Sequence, residues 1–227
     1  MNKVIFLLLS LFSLTVTQAQ INELGVFVGG SNYIGDIGPT TYITPNSPAI
    51  GILYKWNRSL RHSWRFSYTQ SKITSKDVDS EEINRKQRGY SFENNIKELS
   101  AGIEFNFFDF DLNTLKRSIT PYVFTGLNLS FYDGLFFNNN QAKFDSKQKT
   151  LALPIILGVK SNLTSNFVLG LEVGARYTFA EDLDGSFSKN ENLKSYSFGN
   201  LNNNDWYVFS GLTLTYTFGI KPCFCAE

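Results

Sequence analysis

The chain has few of the residues from which metal sites and most catalytic centres are built. Among its 227 residues there is one histidine (His62), one methionine and two cysteines, Cys223 and Cys225, both in the last five positions. That set gives no zinc-ligand spacing, and the sequence has no phosphate-binding glycine loop and no nucleophile elbow. Charge of one sign is also lacking, with 21 basic residues against 20 acidic ones. A near-neutral chain has no electrostatic basis for holding nucleic acid or for being steered to an anionic surface. There are only 6 prolines, and beyond the first twenty residues no apolar run is long enough to cross a bilayer as a helix. If the chain enters a membrane, it does so as strands.

The one long apolar run, residues 4–14 (VIFLLLSLFSL), follows Lys3 and precedes the small residues Thr17 and Ala19. It falls short of the roughly 20 residues a spanning helix needs. The arrangement is that of a secretory signal peptide, residues 1–19, cleaved before Gln20. No cysteine follows the apolar core, which argues against a lipoprotein anchor. Loss of Lys3 with this segment leaves the basic and acidic residues level.

Aromatic residues make up 15 % of the chain, and period-two alternation recurs in eight runs: 23–30, 50–57, 63–70, 97–108, 120–131, 150–160, 167–178 and 205–218. In 167–178, for example, Phe167, Leu169, Leu171, Val173, Ala175 and Tyr177 alternate with Val168, Gly170, Glu172, Gly174, Arg176 and Thr178. Each run approaches the 9–11 residues of a membrane-spanning strand. The connections alternate strictly between long (31–49, 71–96, 132–149, 179–204) and short (58–62, 109–119, 161–166). An up-and-down meander then has all its long loops at one end, the plan of an outer-membrane barrel with short periplasmic turns and long external loops. The fold expected is therefore all-β: an eight-stranded antiparallel up-and-down transmembrane barrel over 20–218, with a periplasmic tail at 219–227 and both termini in the periplasm.

The face opposite the apolar one carries Gly, Ser, Thr and Asn with four acids, Glu23, Glu98, Glu104 and Glu172, and four bases, Lys55, Arg65, Lys160 and Arg176. Buried charge must be paired, so these eight are expected to form a closed ion-pair network that fills a narrow lumen. A soluble lipocalin-like barrel would have the opposite polarity. Trp56, Trp64, Tyr216 and Phe218 at the short-turn end, with Tyr33, Tyr132, Tyr177 and Trp206 at the other, are placed for two interfacial girdles. His62 falls in a short turn and reads as solvated. Glu81, Glu82 and the run from Arg85 to Arg88 read as a solvated charge run. The histidine is far from the rim where a lipid-modifying barrel would need a base beside a nucleophile. No catalytic residue, cofactor, metal or small-molecule substrate is expected.

The opening ELGVFVGGSNYIGDIGPTTYITPNSPAIGILYKWN (23–57) resembles that of the PorG-like outer-membrane barrels of the type IX secretion system. The likeness is carried by Gly29, Gly30, Ser31, Asn32, Tyr33, Ile34, Gly35 and Asp36 and by Tyr54, Lys55, Trp56 and Asn57, and the tail YTFGIKPCFC (216–225) agrees with it. The resemblance implies a non-enzymatic component associated with the periplasmic ring of the PorK lipoprotein and PorN, whose gliding counterparts are GldK and GldN. Both termini of an eight-stranded meander emerge on the short-turn side, where such a ring would dock, so the partner contact is expected on Lys221, Pro222, Cys223, Phe224 and Cys225, together with the turns around 57–63 and 109–117. Pro222 ends strand pairing. In an oxidising compartment the two cysteines have three fates open: a strained internal ring, thiols kept reduced, or a disulfide to a partner. A lipid-modifying enzyme and an adhesin-like barrel with working external loops are the competing readings.

Overall fold

The computed structural model describes residues 21–112, 117–138, 140–199 and 204–219. The apolar segment 4–14 and the tail residues Lys221, Pro222, Cys223, Phe224 and Cys225 lie outside them.

Eight strands, β1 (Ile21–Ile34), β2 (Ser47–Asn57), β3 (His62–Lys76), β4 (Ser91–Asn106), β5 (Ile119–Asn138), β6 (Gln141–Asn162), β7 (Phe167–Thr178) and β8 (Trp206–Phe218), pair in sequence order. Antiparallel pairing of β1 with β8 closes the barrel. Closure leaves no sheet edge with a row of unpaired backbone groups, as a strand structure inside lipid requires. The β5–β6 ladder shifts register between Gly134 and Leu135, and a second irregularity has a simple cause. Between β5 and β6 the pairing skips Gly126 and Leu127 opposite Leu153 and Pro154, where proline has no N–H to donate.

The wall has its apolar side outward. Leu24, Val26, Val28, Ile50, Ile52, Leu151, Ile155, Leu157, Leu171 and Leu212 are all exposed on the outer surface. Their inward neighbours Glu23, Lys55, Arg65, Glu104, Lys160, Glu172 and Thr213 are buried. A continuous exposed aliphatic belt over a polar interior is the signature of a barrel that crosses lipid. Trp56 and Trp64 face each other across β2–β3 at the short-turn end. The Phe167 and Tyr216 rings lie 5.4 Å apart at the same end.

The strands run further than the apolar alternation predicts, and their polarity inverts where that alternation stops. On β3 the outward residues change from Trp64, Phe66 and Tyr68 to Gln70, Lys72 and Lys76, while Ile73 turns inward. On β4 the outward set above Leu99 is Lys97, Asn95 and Glu93, with Ile96 and Phe92 inside. The register puts Gln70, Lys97, Phe131 and Lys149 in one row across β3–β6, directly above the row Tyr68, Leu99, Leu129 and Leu151. That step marks the edge of the lipid belt. Above it the barrel is built like a water-soluble protein.

The predicted loop 132–149 is therefore a projecting hairpin, in which β5 and β6 pair out to Asn138 and Gln141. Asn140 at its tip has φ 62°, a left-handed conformation that asparagine tolerates. The segment 71–96 is likewise mostly strand. Its apex holds a 3₁₀ turn (Asp77–Asp79) and one short helix, α1 (Ile83–Arg88). Between the extended strands sits an apolar cap: Tyr33, Ile37, Ile73, Phe92, Ile96, Tyr132, Leu135, Phe137 and Leu183 form one buried cluster. Tyr33 and Tyr132 therefore point inward, and of the expected long-loop girdle only Tyr177 and Trp206, 4.9 Å apart, lie on the outer face.

Candidate functional site

Three features could do work: the charged lumen, the capped long-loop rim and the short-turn rim. In the lumen, Glu104 on β4 is the hub. Its carboxylate accepts hydrogen bonds from Lys55 Nζ on β2 at 2.8 Å and from Lys160 Nζ on β6 at 2.6 Å. The Arg65 guanidinium on β3 stands 3.5 Å away. Arg65 donates in a two-pronged fashion to Glu172 on β7, at 2.8 and 2.9 Å, and Tyr122 on β5 donates to the same carboxylate at 2.7 Å. A forked guanidinium–carboxylate pair is both strong and directional. Glu23 on β1 makes no ion pair among the described residues; it accepts from Asn57 Nδ2 at 2.9 Å and from Thr215 Oγ1 on β8 at 2.6 Å. Every strand thus places a side chain in this layer.

The charges balance. Lys55, Arg65 and Lys160 meet Glu104 and Glu172, and Glu23, directly opposite Lys55 in the β1–β2 register, supplies the third negative charge. A second node lies nearer the cap. Glu98 accepts from Arg176 at 3.1 and 3.3 Å, from Asn128 Nδ2 at 2.7 Å and from the Tyr207 hydroxyl at 2.9 Å. The eight charged residues marked in the sequence therefore form two nodes, with seven of them in ion pairs and Glu23 held by neutral donors.

Sequence periodicity did not mark the aromatic rings that seal these nodes. Lys160 Nζ lies 5.0 Å from the Phe110 ring and 5.4 Å from that of Tyr122; Arg65 lies 5.2 Å from Phe124; Arg176 lies 4.4 Å from Phe209. Such contacts stabilise desolvated cations. Tyr122 reaches Glu172 because its ring lies flat over Gly158, its partner across β5–β6, where an added Cβ would come 2.4 Å from the ring. A glycine opposite an aromatic was the one available signal.

The short-turn rim is partly closed as well. Phe110 and Leu112, within the segment 109–117 expected to face a partner, are buried with Val168 and close the barrel's lower mouth. What that rim exposes is His62, near Ser59 Oγ, and the pair Arg61–Asp109. An exposed pair of this kind contributes little to stability.

At the other rim, Glu81, Glu82 and Lys86 of the expected solvated run are exposed, but Arg85 and Arg88 are clasps. Arg85 donates to the carbonyls of Gly35 and Gly38 at 3.0 and 2.7 Å, and Arg88 to that of Asp36 at 2.7 Å and to Asp77 at 2.7 and 2.9 Å. Gly38, at φ +83°, gives its N–H to the same Asp77. Burial works to raise the Asp77 pKa, but the Arg88 hydrogen bonds and the Gly38 and Tyr90 amides outweigh it and hold it below the ordinary value. The last long loop is seated by Asn94, which donates to the Leu183 and Asp133 carbonyls, each at 2.7 Å, and by Asp205, which accepts from Leu183 N at 3.0 Å and from the Tyr33 hydroxyl. Among the described residues no group of three or more His, Cys, Asp or Glu is placed to hold a metal.

Among solved structures, the chain resembles the N-terminal barrel domain of Pseudomonas aeruginosa OprF, with 14 % identity over 88 % of this chain and 98 % of that one and a TM-score of 0.46. It also resembles a major outer membrane protein of Thermus thermophilus (15 % identity, 88 % and 100 % covered, TM-score 0.46). A third is Neisserial surface protein A (12 %, 88 % and 96 %, TM-score 0.46). No curated protein matches the chain. The model of the family described as Domain of unknown function (DUF6089) matches residues 2–227, and the chain belongs to that family.

Proposed function

We propose that this barrel is a non-enzymatic structural protein of the outer membrane that anchors type IX secretion, its short-turn rim facing the periplasm and meeting a ring of PorK- and PorN-like proteins. The observation that carries the reading is the filled lumen. Tyr122, Tyr207, Lys55, Phe124, Lys160 and Phe209 are all under 2 % exposed and span the bore from the short-turn side to the cap. A bore packed with side chains conducts nothing, so the working surfaces are the two rims. The likeness of residues 29–36 and 54–57 to PorG-like barrels favours the periplasmic rim. The tail 219–227 continues from Phe218, which stands at that rim.

Two measurements test this. In planar bilayers the refolded barrel is expected to give no ohmic conductance above the bare membrane. In cells, a photo-crosslinker at Ser59 or Arg61 should capture the ring proteins, one at Lys143 on the projecting hairpin should not, and deletion of 221–227 should weaken co-purification. Undiminished co-purification after that deletion, with capture only from Lys143, would reject the anchoring role.

A further inference from the structure

Where the wall changes from apolar-out to polar-out, its surface is not uniform. On β3–β6 the first row above the belt carries Lys97 and Lys149 on either side of Phe131, and the next carries Lys72 and Lys147. On the opposite side, the same rim presents Tyr177 and Trp206. Lys72 is paired with Glu93 and Lys147 with Asp133, whereas Lys97 and Lys149 make no ion pair among the described residues. This sector therefore has two uncompensated ammonium groups at headgroup depth, where a lysine keeps its charge in the wet layer while its stem lies on apolar surface.

Two hollows lie in this sector, the first lined by Lys97 and not by Lys149. A cavity of about 330 Å³ lies among Asn95, Lys97, Phe131, Asp133 and Lys147. Immediately lipidward, an apolar groove of about 510 Å³ runs past Phe66, Tyr68, Leu99, Leu127 and Leu151. Its depth comes from Ala101, the one small side chain in the outward row Tyr54–Phe66–Ala101–Leu127. Leu99 and Lys97 are successive outward residues of one strand, so groove and cavity are about 7 Å apart along it.

We infer that this sector binds one anionic lipid of the leaflet on the long-loop side, its phosphate between Lys97 and Lys149 and an acyl chain in the groove over Ala101. Charge complementarity selects the headgroup and the adjoining apolar groove selects a lipid over a free phosphate. The site is independent of any contact at the short-turn rim.

The test uses the full barrel, delipidated in neutral detergent and given phosphatidylglycerol, lipid A or phosphatidylcholine, with bound lipid counted by native mass spectrometry. One phosphatidylglycerol or lipid A should be retained per barrel, and phosphatidylcholine should be held more weakly. At about fivefold per lysine, Lys97→Gln with Lys149→Gln should weaken retention by about 25-fold. Lys143→Gln, farther out on the hairpin, should change nothing. Ala101→Phe, which fills the groove, should also weaken lipid retention. Equal retention of phosphatidylcholine, or of anionic lipid by the double lysine variant, would overturn the inference. So would binding that Ala101→Phe leaves intact and equimolar inorganic phosphate displaces, since that would be a phosphate site without a lipid.

Discussion

Replacing Glu104 by Ala should cost the barrel about 3–5 kcal/mol, the usual loss when one partner of a buried ion pair is removed. The reason is arithmetic as much as contact. Glu104 is fully buried and faces Lys55, Lys160 and Arg65. Without it, three cations share the bore with Glu172 and Glu23 alone. Urea unfolding in lipid vesicles reads the loss directly. Combining Glu104→Ala with Lys160→Met restores the balance and should recover part of the loss, so that the two changes are non-additive. A loss below about 1 kcal/mol would mean that water, and not the carboxylate, compensates the cations. The network also fixes register. A one-residue slip would turn Lys55, Arg65 and Lys160 into lipid, at roughly 2–4 kcal/mol for each cation near the midplane.

The second large effect is on the cap, and it depends on pH. Asp184 is buried beside Ser186, and its carboxyl is raised from 3.8 to about 6, first by burial and also by the neighbouring charge of Asp36; hydrogen bonds from Ser186 and Tyr33 oppose the shift. Asp205 is raised well above its ordinary value, by burial first and then by Asp184. The cationic group bearing on Asp184 is Arg88, while Lys189 is engaged by Asp182. A carboxyl with a raised pKa keeps its proton in the folded cap at a pH where the open loop has lost it. The stability it contributes is therefore complete below the ordinary carboxylate range and is lost as pH rises through about 6. The loop 179–205 should open to protease more readily at pH 8 than at pH 5, by on the order of tenfold from Asp184. Asp184→Asn should remove most of that difference. Asp77, held low, works the other way: its clasp is intact above the ordinary carboxylate value and is lost only as pH falls below it. Protection that rises from pH 5 to pH 8 would contradict the assignment.

The membrane-embedded part of this protein is legible in its sequence because two constraints act on every second residue. Lipid demands apolar side chains on one face, and a sealed bore demands paired charge on the other. Runs such as Phe167–Thr178 show both. The expected strand limits at Gln70, Lys97, Phe131 and Thr150 fall where outward residues turn polar, because a pattern defined by apolar side chains facing out ends where lipid ends. The strands themselves continue, since Ile73, Phe92, Ile96 and Phe137 have merely moved to the inner face. Long-range pairings had no such trace. Nothing in the spacing of Asp77 and Arg88, or of Tyr33 and Asp205, tells that the barrel brings them into contact. Phe110 seals the lower mouth by folding back from a turn, which alternation does not govern.

Spin labels in lipid vesicles read directly which way the wall faces. With Cys223 and Cys225 replaced by Ser, single labels at Val26, Leu157 and Leu171 are predicted to be relaxed by dissolved oxygen and shielded from a water-borne paramagnetic agent. Free access of the water-borne agent to all three, with oxygen excluded, would contradict a barrel that turns its aliphatic face to lipid.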